Sequence, residues 1–223
     1  NDYKIKKIWT NFYPNSLGLL YSTVTDYLGF EINEGEFKVM SLSSFGKPIY
    51  EKEFNKIFDI NNFTINMDYF EFHKTPSKSF SNKLCEVFGE PYLNITEETN
   101  FNKYANIASS VQLILEHTIK NLIQKAMDLS GKRKIVLTGG VALNCKMVHN
   151  LSKQNIFEEL IVPPSPGDSG SAIGAANFAF LEKSKTKILD FNNIFLGPKK
   201  KLINKKENKD NFFSKINLNN DFI

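Results

Sequence analysis

Apolar residues recur along this chain at helical spacing for most of its length, and at strand spacing in two short places. Leu17, Leu20, Tyr21, Val24 and Leu28 fall three and four apart and predict a helix over 16–30 with one buried face. Pro14 and Asn15 precede it, Ser16 is placed to cap it, and Gly29 ends it. A further helical turn is predicted over 36–42, closed by Gly46 and Pro48, and another helix over 49–58. Residues 63–67 and 69–73 predict a small β-hairpin, and 80–88 a short helix ending at Gly89. The longest pattern covers 102–129, where Ile107, Val111, Leu115, Ile119, Leu122 and Ala126 make one apolar stripe before Gly131.

After Gly131 the pattern changes. Lys134-Ile135-Val136-Leu137-Thr138 is a short apolar run ending in Gly139-Gly140, which suits a buried parallel strand running into a turn. The two glycines leave the backbone open to a ligand. The segment 141–151 predicts a helix whose free N–H groups and positive dipole end would point into that turn and attract phosphate. Ile161-Val162 reads as a second strand, stopped by Pro163, Pro164 and Pro166. Asp168 then stands before a small-residue helix over 169–180, placed either to cap it or to hold a cation. A glycine pair after a strand also occurs as a plain tight turn, and an Asp before a helix as a plain cap. Both turns within one β–α–β–α unit favour nucleotide binding. From Lys183 onward the composition shifts to Lys, Asn and Asp, and 187–223 reads as a linker with the start of a further domain.

Size and charge narrow the classes. The chain has 223 residues, 41% of them hydrophobic, enough for one substantial α/β domain. The net charge is +4, with no dense basic motif ahead of the C-terminal end, so nothing calls for a nucleic acid. No run is long and apolar enough to span a membrane as a helix. Cys85 and Cys145 lack metal-ligand spacing and read as reduced cytosolic thiols. The first residue is not Met, and both ends read as cuts in a longer protein.

Several separated motifs fall in one order. Gly139-Gly140-Val141-Ala142-Leu143-Asn144-Cys145 is followed by the run Pro166-Gly167-Asp168-Ser169-Gly170 and the small residues to Ala176. Earlier come Pro14-Asn15-Ser16-Leu17-Gly18, Asn33-Glu34-Gly35-Glu36-Phe37-Lys38-Val39-Met40, and Ile107-Ala108-Ser109-Ser110-Val111-Gln112 with Glu116. Over about residues 13–182 this resembles the O-carbamoyltransferases that modify nodulation factors, cephamycins and aminoglycosides. The resemblance implies an actin-like, Hsp70-like ATPase lobe (ribonuclease H-like) over 1–186, the second half of a two-lobe domain, in a cytoplasmic enzyme. It implies ATP and carbamoyl phosphate as substrates, a carbamoyl-adenylate intermediate, and a hydroxyl of a sugar or natural product as acceptor. It also implies a divalent metal, with iron expected.

Carried over by position, Gly139, Gly140, Val141 and Asn144 would line the nucleotide phosphates, with Ser16, Gly18, Gly35 and Lys38 facing the nucleotide from the other side. Asp168 is the implied metal ligand. Glu34 and Glu36 are the carboxylates placed to deprotonate the acceptor hydroxyl, the alternative for both being a solvated surface pair. Ser41, Ser43 and Ser44 stand where the family resemblance leads one to expect a small Gly-Leu-Ala-like run, and His73, His117 and His149 form no ligand pair in the sequence. The missing lobe and domain of the full-length protein would supply the rest of the site. Two other readings share the glycine turns: a related actin-like enzyme, such as a tRNA threonylcarbamoyl transferase or a sugar kinase, and a truncated module without activity.

Overall fold

A computed structural model of the chain describes residues 5–74, 78–91 and 98–184. These lie in the first of two units, residues 1–189; the linker and further-domain expectation for 187–223 lies outside the described residues.

The order of elements is mixed α and β. Helix α1 (Leu17–Tyr27) is capped by Ser16, whose Oγ accepts from Leu19 N, and it stops before Gly29 at φ 76°. Helices α2 (Glu36–Leu42) and α3 (Glu51–Ile57) come next. Strands β1 (Phe58–Asp59) and β2 (Thr64–Ile65) pair antiparallel, Phe58 opposite Ile65. This corrects the expected hairpin. Residues Met67–Tyr69 form a 3₁₀ turn, and Phe70 bridges to Phe80 instead. The reason lies in the loop between β1 and β2. The Asp59 carboxylate accepts from the amides of Asn61 and Asn62 and from Asn62 Nδ2, closing the chain back on β1.

Helix α4 (Asn82–Phe88) ends at Gly89, φ 82°. Phe88 then packs against Tyr50 and Phe54 with ring centroids 5.4 and 5.0 Å apart. The long helix α5 (Glu98–Ser130) is the axis of the core. Ile107, Val111, Leu115 and Ile119 are buried as the stripe predicts, but farther on Ile123 and Met127 are buried while Leu122 and Ala126 are only half-covered. Steps of four residues overshoot a full turn by about 40°, so the buried row winds around the helix. It meets α1, α2, α3 and α6 in turn.

Strands β3 (Lys134–Val136) and β4 (Glu159–Ile161) pair in parallel, Ile135 opposite Leu160. But β3 is not the buried strand expected: Lys134 and Val136 are exposed and Ile135 is half-buried, because among the described residues the sheet has only these two strands. Between them lie a 3₁₀ turn at Gly140–Leu143 and helix α6 (Cys145–Ser152). The single helix expected over 141–151 is therefore two pieces. Asn144 divides them because its side chain accepts from Met147 N and starts a new helix. Helix α7 (Gly170–Ser184) begins one residue later than expected. The mixed α/β class stands; the actin-like form of the lobe stays an expectation. No helix among the described residues is long and apolar enough to cross a membrane.

Candidate functional site

The two glycine turns meet directly. Gly139 N donates to Pro166 O at 2.7 Å, and Leu137 N extends the parallel pairing to Ile161 O at 2.9 Å. Gly139 has φ 98°, a conformation glycine adopts without strain. A methyl group built at Gly139 or Gly140 would meet nothing within 4 Å, so both α-carbons face open space. Gly170 is different. A methyl there would fall 2.0 Å from Ser165 O, so the second turn is closed on itself. Gly167 sits beside Leu143, its built methyl 3.5 Å from Leu143 Cδ1.

Ser16 and Gly18 come to the same place. A methyl at Gly18 would lie 3.8 Å from Val141 Cγ2, so the start of α1 rests against the 3₁₀ turn. Glu34, Gly35, Glu36 and Lys38 lie around the start of α2, and their contacts are local. Gly35 is buried, and a methyl there would stand 2.5 Å from Phe30 Cβ, a packing reason for glycine. Glu36 Oε1 accepts from Ser22 Oγ at 2.7 Å and from the amide of Asn33 at 3.0 Å. Glu34 is exposed, and its carboxylate has no hydrogen-bond partner among the described residues. Lys38 Nζ lies 5.6 Å from the centre of the Phe30 ring.

The opposite end of α2 makes the link to the glycine turn. Lys146 Nζ donates to Ser43 Oγ at 2.8 Å and reaches Ser44 Oγ at 3.4 Å, and Cys145 Sγ lies 3.8 Å from Met40 Sδ. Ser43 and Ser44 thus receive a lysine that belongs to none of the motifs, while Ser41 Oγ donates to Phe37 O. Both cysteines are free.

Asn144 turns its side chain inward, toward α5. Its amide exchanges two hydrogen bonds with Gln112, Asn144 Nδ2 to Gln112 Oε1 at 2.9 Å and Gln112 Nε2 to Asn144 Oδ1 at 3.1 Å. Gln112 also takes the Tyr21 hydroxyl at 3.0 Å and donates to Glu116 Oε1 at 2.8 Å. Glu116 Oε2 accepts from Asn150 Nδ2 at 2.9 Å. Burial pushes the Tyr21 phenol far above its ordinary range; a hydrogen bond from Asn144 opposes this, and the charges of Glu36 and Glu116 add to it. The sequence signal for this network was a glutamine and a glutamate one turn apart on the apolar side of α5.

Asp168 is exposed, and its carboxylate has no hydrogen-bond partner among the described residues; only its main-chain oxygen is engaged, by Ser171 N. Among the described residues no three His, Cys, Asp or Glu side chains gather to hold a metal ion. His117 Nδ1 lies 3.9 Å from Glu51 Oε1, and His73 and His149 are exposed. One carboxylate does not make a metal site, so the described residues do not fit the expected ion by themselves.

Comparison with known proteins agrees with the motifs. The chain is 35% identical over 172 residues to the uncharacterized protein sll1178 of Synechocystis sp., covering 75% of this chain and 28% of that protein. It is 28% identical over 177 residues to the nodulation protein NolNO of Sinorhizobium fredii, covering 78% of this chain and 24% of that protein. It is 33% identical over 91 residues to nodulation protein U of Rhizobium tropici, covering 41% of this chain and 16% of that protein. The chain thus spans well under half the length of these relatives. A family model described as Carbamoyltransferase N-terminus matches residues 1–177. The resemblance read from the glycine motifs is borne out, and the chain belongs to the carbamoyltransferase N-terminus family.

Proposed function

We propose that this chain forms one wall of an ATP-dependent O-carbamoyltransferase site. The protein that contains it would move a carbamoyl group from carbamoyl phosphate, through a carbamoyl-adenylate, to a hydroxyl of a sugar or natural product. The family match over residues 1–177 carries this reading.

The joined glycine turns support it chemically. On this reading the phosphate chain lies against Gly139 and Gly140, where open space surrounds both α-carbons. The first amides of the Gly140–Leu143 turn have no acceptor within the turn and serve phosphate oxygens. Val141, with Gly18 and Ser16 behind it, makes the floor. Water first cleaves carbamoyl phosphate to carbamate and inorganic phosphate; a carbamate oxygen then attacks the α-phosphorus of ATP and pyrophosphate leaves. The acceptor hydroxyl oxygen then attacks the carbamoyl carbon, AMP leaves, and the hydroxyl proton is taken by a base. Glu36 is already engaged by Ser22 and Asn33, so Glu34 is the carboxylate with its oxygens available for that proton. The expected divalent metal would take one oxygen from Asp168 and its other ligands from outside the described residues.

The test is calorimetry of ATP binding to the full gene product and its Asp168→Ala variant, with and without divalent metal. Metal-dependent binding that weakens about tenfold or more in the variant is expected, a loss of about 1.4 kcal/mol. Absence of ATP binding by the unaltered protein would sink the reading.

A further inference from the structure

Gln112 is 2% exposed, in the middle of α5 between the buried Val111 and Ile114, yet its amide uses every hydrogen-bonding position it has. The two protons on Nε2 go to Glu116 Oε1 and Asn144 Oδ1, and Oε1 accepts from Tyr21 Oη and Asn144 Nδ2. These directions are forced rather than chosen. Met147 N can only donate, so Oδ1 of Asn144 must face that amide, and Nδ2 of Asn144 must then face Oε1 of Gln112. Each amide fits the other in one orientation only.

Asn144 also ends the glycine turn. Its own N–H donates to Val141 O at 3.1 Å, Ala142 N donates to Gly139 O at 2.9 Å, and Gly139 N holds Pro166 O. Three residues separate Gly140 from Asn144, and the bonded frame around them leaves little slack. A shift of Asn144 must move the turn.

We propose that Gln112 is a positioning residue: by holding Asn144 it sets the conformation in which Gly139 and Gly140 receive the phosphates of a nucleotide. The proposal rests on the nucleotide reading above for its ligand, but not for the coupling between Gln112 and the turn. Gln112 does not touch the phosphate; it acts through Asn144.

The experiment compares Gln112→Glu and Gln112→Met in the full gene product, by ATP binding at about pH 8 and about pH 5.5, where a carboxyl pair changes its protonation. The charged and titratable groups that face position 112 are Glu116 on its own helix and Tyr21 on α1, with Glu36 of α2 acting on Tyr21. Ionised Glu at 112 has no proton for Asn144 Oδ1 and repels Glu116; protonated, it regains a donor. ATP affinity in Gln112→Glu is expected to fall about tenfold or more at the higher pH and to recover relative to the unaltered protein at the lower one. Gln112→Met should lose affinity without recovery. Folded variants that melt earlier but bind ATP as the unaltered protein does would overturn the proposal, leaving Gln112 as a satisfied core amide. If the unaltered protein binds no ATP, the nucleotide reading fails, and hydrogen exchange decides the coupling. Exchange about tenfold faster, confined to Met147 N and the turn amides, upholds it; uniform acceleration over α5 and α6, or none, overturns it.

Discussion

Gly139 N donates to Pro166 O at 2.7 Å, so the turn after β3 and the turn after β4 form a single piece of backbone. Parallel pairing of Ile135 with Leu160 brings the two strand ends level, and this one bond joins the turns that leave them. One turn leaves its glycines open and the other is closed around Gly170.

That asymmetry separates binding from stability. Gly140→Ala adds a methyl that meets nothing, so the melting temperature should stay within the change expected of about 0.5 kcal/mol. The same methyl occupies the space assigned to phosphate, and ATP affinity should fall. Calorimetry with a thermal melt checks both, and equal affinity in the variant would count against phosphate at Gly140.

Gly170→Ala should do the reverse. Its methyl would sit 2.0 Å from Ser165 O, a main-chain atom that cannot swing aside. Overpacking of this kind costs about 1–3 kcal/mol. A melt as high as that of the unaltered protein would show that the second turn can relax.

Asp168→Ala tests the carboxylate without disturbing the fold. Its side chain is exposed and makes no hydrogen bond among the described residues, so stability should change by no more than about 0.5 kcal/mol. Any loss of metal-dependent ATP binding then belongs to the ligand site. A large drop in melting temperature would instead assign Asp168 to the cap of α7.

Stability should fall in alkali as the pH rises above about 10. Tyr21 and Tyr27 are both held well above the ordinary tyrosine range, by burial first; nearby Cys85, Tyr104, Tyr50 and Glu90 add to the effect at Tyr27. A folded-state pKa raised above the unfolded value contributes stability that is complete below about pH 10 and is lost as pH climbs toward the folded value. Absorbance titration of phenolate should show two groups that ionise only as the protein unfolds. Ionisation of every tyrosine in the folded protein near pH 10 would contradict the burial of both.

The chain by itself should self-associate and should not turn over. Val136 is 64% exposed, Leu143 63% and Phe178 50%, on β3, the glycine turn and α7. Apolar area of this kind on an isolated piece favours contact between copies. Light scattering that finds a monodisperse monomer, or an assay that finds catalysis by the isolated chain, would refute this.

Local chemistry was legible in the amino-acid sequence alone. Ser16 as a cap, Gly29, Gly89 and Gly131 as helix ends, the stripe from Ile107 to Ile119, and the two strand–glycine units all follow from rules that act over a few residues. So does the family, because its motifs are short and ordered. Tertiary structure decided the rest. It paired β2 with β1 rather than with the next segment, because Asp59 closes a loop that spacing alone does not reveal. It engaged Glu36 with Ser22 and left Glu34 without a partner among the described residues, although the two carboxylates look alike in the sequence. It turned Asn144 toward Gln112, which no local pattern specifies, since a buried amide takes the orientation that its distant partners allow.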